Sequence, residues 1–443
     1  MKYSTIFLLL LLPFLGISQD DNWSLEKCIT HAEKQSLTIQ ESQIGVKQAE
    51  LTLTQDKRNR YPDLSASTGI NYNVGRFVNP VTNEFVTTNL FGNSAGLSSG
   101  ITIYNGGRIQ NTILKSEIQK QINEQNLEQA QRDIALNVAS AYLSILLAIE
   151  RNNNSKAVLV ESEQQLERIN RLIRVGSLPE ADKYETEAQV ARNEQSVVTT
   201  ENAVDQAYLS LKTILQIPVQ QDFKIEQPNI PIPPPESLTL QPYGTIVKRA
   251  IANQPSIKAG ELQLKSNDLE IEIAKVGKLP SVILNANTGT NYANIAQTTG
   301  GSGYFGQLNE NLNGSVGVFV SIPIYDKGAT NTAIEQAKLR QLTQQISNRR
   351  IRQGLETQVQ QALADAKAAA KQMQAAQKTL NASQKAFDNT KKRYELGSST
   401  LLEFNTSRNN LNQAEFSVII AKYDYIFKLK ILDFYQGKKI TLK

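Results

Sequence analysis

Apolar residues recur along this chain at two spacings, one helical and one strictly alternating, and the order in which they appear is written twice. Residues 23–60 carry a helical pattern, and so do residues 241–278. Each runs into a proline, Pro62 or Pro280. Proline removes a helix hydrogen bond and biases the preceding residue towards extended geometry. Strict alternation follows. Leu64, Ala66, Thr68, Ile70 and Tyr72 fall on one side, with Ser65, Ser67, Gly69, Asn71 and Asn73 on the other. Val282, Leu284, Ala286, Thr288, Thr290 and Tyr292 likewise oppose Ile283, Asn285, Asn287, Gly289 and Asn291. Val316, Val318, Val320, Ile322 and Ile324 alternate with Gly317, Phe319 and Ser321. Period two means a strand with one greasy and one small or polar face. Strands are expected at about 64–76, 94–105, 281–293 and 314–325, with long Gly/Asn-rich loops inside each pair.

Two very long helical stretches come next, at 108–175 and 329–396. At 1.5 Å per residue each spans on the order of 100 Å. Their apolar seam steps by four and three: Ile134, Val138, Ala141, Ile145 and Ala148 in one, Leu355, Val359, Ala362, Ala366, Ala369 and Met373 in the other. The seam is thin and alanine-rich, so such a helix needs close neighbours. Both stretches end at a glycine, in "RVGSLPEAD" and "ELGSSTLLEF", before a return helix at about 180–215 or 401–435. Glycine suits the left-handed position after a helix. Ser177-x-x-Glu180 and Thr400-x-x-Glu403 read as capping boxes for the return helices.

The spacing between equivalent landmarks is nearly constant. Pro62 and Pro280 are 218 apart (280 − 62), Tyr104 and Tyr325 are 221 apart (325 − 104), and so are Gly176 and Gly397 (397 − 176). A repeat of this length is a duplicated domain-sized unit rather than a solenoid period. The expected organisation is a signal peptide at 1–18, a first repeat at 19–217 with its hairpin at 108–215, and a proline-rich strap at 218–240. A second repeat follows at 241–437 with its hairpin at 329–435, then a tail at 438–443.

Composition narrows the function. Lys2, an apolar run over Ile6–Leu15 and the small residues Gly16-Ile17-Ser18 form a secretory signal, too short to span a bilayer. Cys28 is the only cysteine, so no intrachain disulfide forms; it lies too far from the cleavage site for lipid attachment. The net charge of +5 is dispersed, which argues against nucleic acid as a partner. His31 is the only histidine and has no second ligand at metal spacing, and no phosphate-binding loop is present. So poor an inventory of acids, bases and nucleophiles argues against an enzyme, and no cofactor or metal is implied.

Strands of about ten residues are near the length that crosses a bilayer at a tilt. Four such strands have unpaired edges, which hydrocarbon does not tolerate, yet are too few to close a barrel. Copies must associate, and physics favours a shared barrel continued by a ring of helices without choosing the copy number. The other reading is a soluble periplasmic coiled-coil adaptor or scaffold.

The ordered set of helix, proline, strand, loop, strand, "YNGG" or "YDKG", long helix and the tips "VGSLPEAD" and "LGSSTLLEF" resembles the TolC-type outer-membrane efflux protein family over nearly the whole mature chain. The resemblance implies a mainly α fold with a membrane β-barrel portion. It implies a homotrimer with a 12-stranded barrel in the outer membrane and an α-helical tunnel across the periplasm. It also implies a passive exit duct for efflux or type I secretion, docked through a periplasmic adaptor protein to an inner-membrane pump. Carried onto this chain, it makes Glu403, Asp182, Thr406, Ser399 and Tyr394 candidates for the periplasmic entrance. Gly176, Ser177, Leu178, Gly397, Ser398 and Ser399 become candidate adaptor-docking tips, and Pro62, Gly107, Pro280 and Gly328 helix–strand junctions. The resemblance puts Thr406 where the family has an acid and Ser399 where it has an arginine that partners the aspartate at Asp182, with Arg393 or Arg174 as the candidate substitutes. Glu403 is equally explained as a helix cap. Tyr72, Tyr104, Tyr292, Phe319 and Tyr325 are candidates for aromatic girdles at the membrane surfaces.

Overall fold

Where helix gives way to strand, the backbone makes the same turn twice. Gly106 and Gly107 have φ of +65° and +84°, and Lys327 and Gly328 have +55° and +82°. An Asx side chain precedes each pair. Asn105 Oδ1 accepts from the Ile109 N–H at 3.4 Å, and the Asp326 carboxylate accepts from Gly328 and Thr330 at 2.9 and 2.8 Å. A Cβ on Gly106 would come within 2.8 Å of Leu279 Cδ1, so glycine is needed there for space as well as for φ.

The computed structural model describes residues 22–79, 82–228, 230–231, 242–294 and 302–442. The expected signal peptide, and residues 229 and 232–240 of the strap, lie outside the described residues. Contacts divide the chain into two compact units, one of residues 41–129 and 254–355, the other of the remainder.

The first unit holds the sheet. Strands β1 (Ser65–Val78), β2 (Phe85–Tyr104), β3 (Ser281–Ala293) and β4 (Asn313–Ser321) pair antiparallel in the order β1-β2-β3-β4. Strand β2 starts nine residues earlier than its composition suggests. The segment Phe85–Asn93, expected in a loop, pairs with Val78–Ile70 of β1, and this partner outweighs its glycine and asparagine content. Strand β4 stops at Ser321 rather than running to Tyr325. Its last partner is Ser281, the first residue after Pro280, which has no N–H to offer.

The α-helices among the described residues are α1 (Leu25–Gln35), α2 (Leu37–Arg58), α3 (Arg108–Arg174), α4 (Ala181–Leu215), α5 (Tyr243–Asn253), α6 (Pro255–Lys275), α7 (Tyr304–Glu310), α8 (Ala329–Glu395) and α9 (Leu401–Tyr435). Each expected leading helix is therefore two. The first breaks at Ser36 (ψ 125°) and the second at Gln254 (ψ 117°). Pro255 forces the second break, because it disfavours helical geometry at the residue before it.

The second unit is helical. Its core joins Leu25, Cys28 and Ala32 of α1 to Val138, Tyr142 and Ile145 of α3, Leu211 and Leu215 of α4, and Ile426 of α9. An eighteen-residue window of α3 is apolar enough to cross a bilayer. Val138, Ala139, Tyr142 and Ile145 are fully buried in this protein core, which accounts for these positions of the apolar run, of which 39% is buried in all. The tail is not loose, since Ile440 and Leu442 are buried in the same core. Nor is the described part of the strap. The Trp23 N–H donates to Lys224 O at 2.9 Å, the Glu226 N–H donates to Trp23 O at 3.0 Å, and the Tyr142 hydroxyl reaches both Trp23 O and Glu226 O at 3.1 and 2.7 Å.

Candidate functional site: a two-faced sheet and two helical tips

Cross-strand partners point to the same side of a sheet, so the register assigns every side chain to a face. Tyr72 lies opposite Phe91, Ala66 opposite Leu97, Leu97 opposite Thr288, and Leu284 opposite both Ile101 and Val318. One face thus gathers Ile70, Tyr72, Val74, Leu97, Leu284, Val316, Val318 and Val320. The opposite face gathers Ser65, Asn71, Asn73, Ser94, Ser98, Asn285, Asn287, Asn291 and Ser315, with Gly69, Gly96 and Gly289 between them. Val74, Val316 and Ile70 are 72%, 76% and 70% exposed, so much of the apolar face is left uncovered by the described residues. Among the described strand residues, no charged side chain occurs on the polar face, although charged residues are 20% of the chain. Of the expected girdle residues, Tyr72, Tyr104 and Tyr292 fall on the apolar face. Phe319 does not: it pairs with Ile283 on the polar face. Tyr325 lies beyond the end of β4.

Both tips close in one way. Gly176 and Gly397 each have φ of +75°. The Ser177 N–H reaches Leu172 O and the Gly176 N–H reaches Ile173 O, both at 2.9 Å. The Ser398 N–H reaches Arg393 O at 2.8 Å and the Gly397 N–H reaches Tyr394 O at 3.1 Å. These paired bonds satisfy the last helical carbonyls and define a Schellman motif.

Beyond the glycines the tips differ. Thr400 Oγ1 accepts from the Glu403 N–H at 3.2 Å, as a capping box requires. The Ser399 hydroxyl donates to the Glu403 carboxylate, and Arg393 lies 3.7 Å from it. The Ser399 hydroxyl foremost, helped by the Thr400 N–H and the charge of Arg393, holds the Glu403 carboxyl below its ordinary value against the loss of hydration. The box expected at Ser177 does not form. Glu180 is the residue before α4, in helical conformation and without a side-chain cap. Pro179 starts that turn instead, its carbonyl accepting from the Asp182 N–H at 3.2 Å.

Tyr394 packs inside the second hairpin, near its tip. Its ring stacks on Phe404 at 4.8 Å, Phe404 lies 5.6 Å from Phe387, and Arg408 covers both phenylalanines while pairing with Glu161. The Tyr394 hydroxyl is buried without a protein partner. Burial, and then the negative charge of Asp182, push its pKa up. Arg393, offered by the sequence as a substitute partner for Asp182, is engaged by Glu403 and by Ser398 O. Thr406 is exposed and donates to Leu402 O of its own helix at 2.8 Å. The aromatic cluster was not foreseen, yet Leu380, Phe387 and Tyr394 recur every seven residues, which places them on one helix face. Val175, Leu396 and Leu402 stand 73%, 83% and 75% exposed around the turns.

The outer membrane efflux protein family model matches residues 28–215 and 246–437, one segment for each repeat. The chain belongs to the outer membrane efflux protein family. Its relatives include the probable outer membrane lipoprotein SilC of Salmonella typhimurium, 25% identical over 75% of this chain and 69% of that protein. The outer membrane protein TolC of Escherichia coli is 23% identical over 67% of this chain, which spans 59% of TolC. Among solved structures, the outer membrane protein VceC of Vibrio cholerae shares the fold with a TM-score of 0.78, at 14% identity over 94% of this chain and 96% of that one. This efflux protein is therefore an outer-membrane channel that extends into the periplasm. Its family is one of channels and not of enzymes, and the reading as a soluble adaptor falls.

Proposed function

We propose that three copies of this efflux protein form a passive exit duct, each giving four strands to a twelve-stranded barrel and its helical hairpins to a periplasmic tunnel. One observation carries the reading: the strand register collects most of the large apolar residues on an exposed face, and β1 and β4 are left as open edges. Each unpaired backbone group at such an edge costs several kcal/mol in hydrocarbon, so sister chains must complete the cylinder. The apolar face then meets lipid and the Asn/Ser face lines the pore.

The exposed Val175, Leu396 and Leu402, beside Ser177, Leu178, Ser398 and Ser399, offer an apolar docking surface for a periplasmic adaptor. An inner-membrane pump supplies the energy. Glu403 places a carboxylate at the entrance of each copy, beside Asp182, Thr406 and Tyr394. Purified protein in detergent, cross-linked and weighed, should run as three chains, and in a planar bilayer it should conduct ions. A monomer without conductance overturns the reading.

A further inference from the structure

The connection between β3 and β4 contains an element whose polarity is inverted for a segment in water. Helix α7 lies against the sheet through its polar groups. Gln307, 4% exposed, accepts from the Ala293 N–H at 3.0 Å and donates to Ser302 O at 2.9 Å. The Thr290 hydroxyl donates to Leu308 O at 2.6 Å, the Tyr304 hydroxyl to Asn93 Oδ1 at 3.1 Å, and the Asn311 amide to Asn291 O at 2.7 Å. The Tyr304 ring lies 4.8 Å from that of Tyr292. Phe305, two residues from buried Gln307, is 81% exposed, and Leu312 is 64% exposed.

A surface helix in water buries its apolar side chains and hydrates its polar ones. Here the polar side chains are tied down and the phenylalanine faces out. The face that α7 covers decides what it meets. Thr290, Tyr292 and Asn93 share, by register, the apolar face of Leu284 and Val318. They lie at the end of β3 far from Pro280, while Val316, opposite Ala286 nearer the middle of that face, is 76% exposed. Backbone groups there bond to protein, as a low-dielectric setting demands.

We infer that α7 is an interfacial anchor, seated on the outside of the barrel at its extracellular end, with Phe305 and Leu312 inserted at the boundary between headgroups and acyl chains. Its partner is the lipid of the outer leaflet, bound through acyl chains and not through headgroup charge. Aromatic side chains suit that depth, where an apolar body meets a wet edge. The inference rests on the barrel reading above, and a second site keeps the two apart.

The test is depth-dependent quenching of tryptophan by nitroxide-labelled phosphatidylcholine in nanodiscs. Variants Phe305→Trp and Val316→Trp are compared with the wild-type chain, whose only tryptophan, Trp23, serves as the blank. Val316→Trp should be quenched at least twofold by a nitroxide deep in the acyl chain. Phe305→Trp should emit to the blue of a water-exposed indole and be quenched at least twofold more by a shallow nitroxide than by a deep one. Quenching at Val316→Trp with none at Phe305→Trp overturns the anchor and leaves the barrel standing. Absence of quenching at both overturns the barrel reading itself.

Discussion

Arg393 and Glu403 face each other across the Gly397 turn, their charged groups 3.7 Å apart. The pair joins the end of one helix to the start of the next, and the Ser399 hydroxyl completes it. An exposed ion pair alone contributes little, so the folded tip is held by capping first and charge second.

The pH dependence follows from the direction of the Glu403 shift. Its carboxyl is held below the ordinary 4.5 in the folded tip. The contribution is then fully present above that value and is lost as pH falls through the lower folded one. Protection factors at residues 396–404, taken relative to the later turns of α9, should be flat from pH 7 to about 5 and drop below about 4.5. In Glu403→Gln the acid-specific drop should vanish. If that residue also lines the entrance, the variant should show a smaller cation preference in reversal-potential measurements.

Glycine substitutions should act with opposite signs at two places. A Cβ on Gly397 meets nothing within 4 Å, but φ there is +75°. Gly397→Ala should therefore destabilise the tip by roughly 1–2 kcal/mol through the backbone alone. Gly354, inside α8 and equally uncrowded, carries no such demand. Gly354→Ala should stabilise by roughly 0.5–1 kcal/mol. Chemical denaturation of the two variants against wild type checks both signs.

Tyr142 ties Trp23, just ahead of α1, and the strap to α3. Removing its hydroxyl in Tyr142→Phe leaves Trp23 O and Glu226 O without that donor, which should cost about 1–2 kcal/mol. Limited proteolysis should then cut sooner within residues 218–228 than in the wild type.

The polar face of the sheet makes an electrostatic prediction. With no charge on that face among the described strand residues, cysteines at Asn71 and Asn287 should meet near-zero local potential. Cationic and anionic methanethiosulfonates should modify them in the ratio of their rates with a free thiol, within about twofold. A tenfold bias to either sign would place a fixed charge in the lumen, since a unit charge shifts local ion concentration steeply at low dielectric. Cys28 gives no background. It is fully buried, and burial pushes its thiol up to about 12.

Periodicity along the sequence was enough for much of this protein. Alternation at Leu64–Tyr72 and Val282–Tyr292 marked β1 and β3. The heptad-like steps from Leu355 to Ala369 marked a seam whose members are all buried, and the glycines at 176 and 397 marked both turns. These are local signals, because side-chain period and positive φ depend on a few consecutive residues. Other features depended on specific partners in the folded chain. Phe85–Asn93 is strand only because β1 lies beside it. Ser177 makes no capping box because its neighbours close the turn through Pro179. Arg393 serves Glu403 and not Asp182, and α7 presents Phe305 outward because Thr290, Asn93 and Asn291 bind its polar side. In each case a short segment has several conformations of similar local energy, and particular hydrogen bonds and contacts in the folded chain select among them, some to neighbours such as Pro179 and some to distant residues such as Asn93.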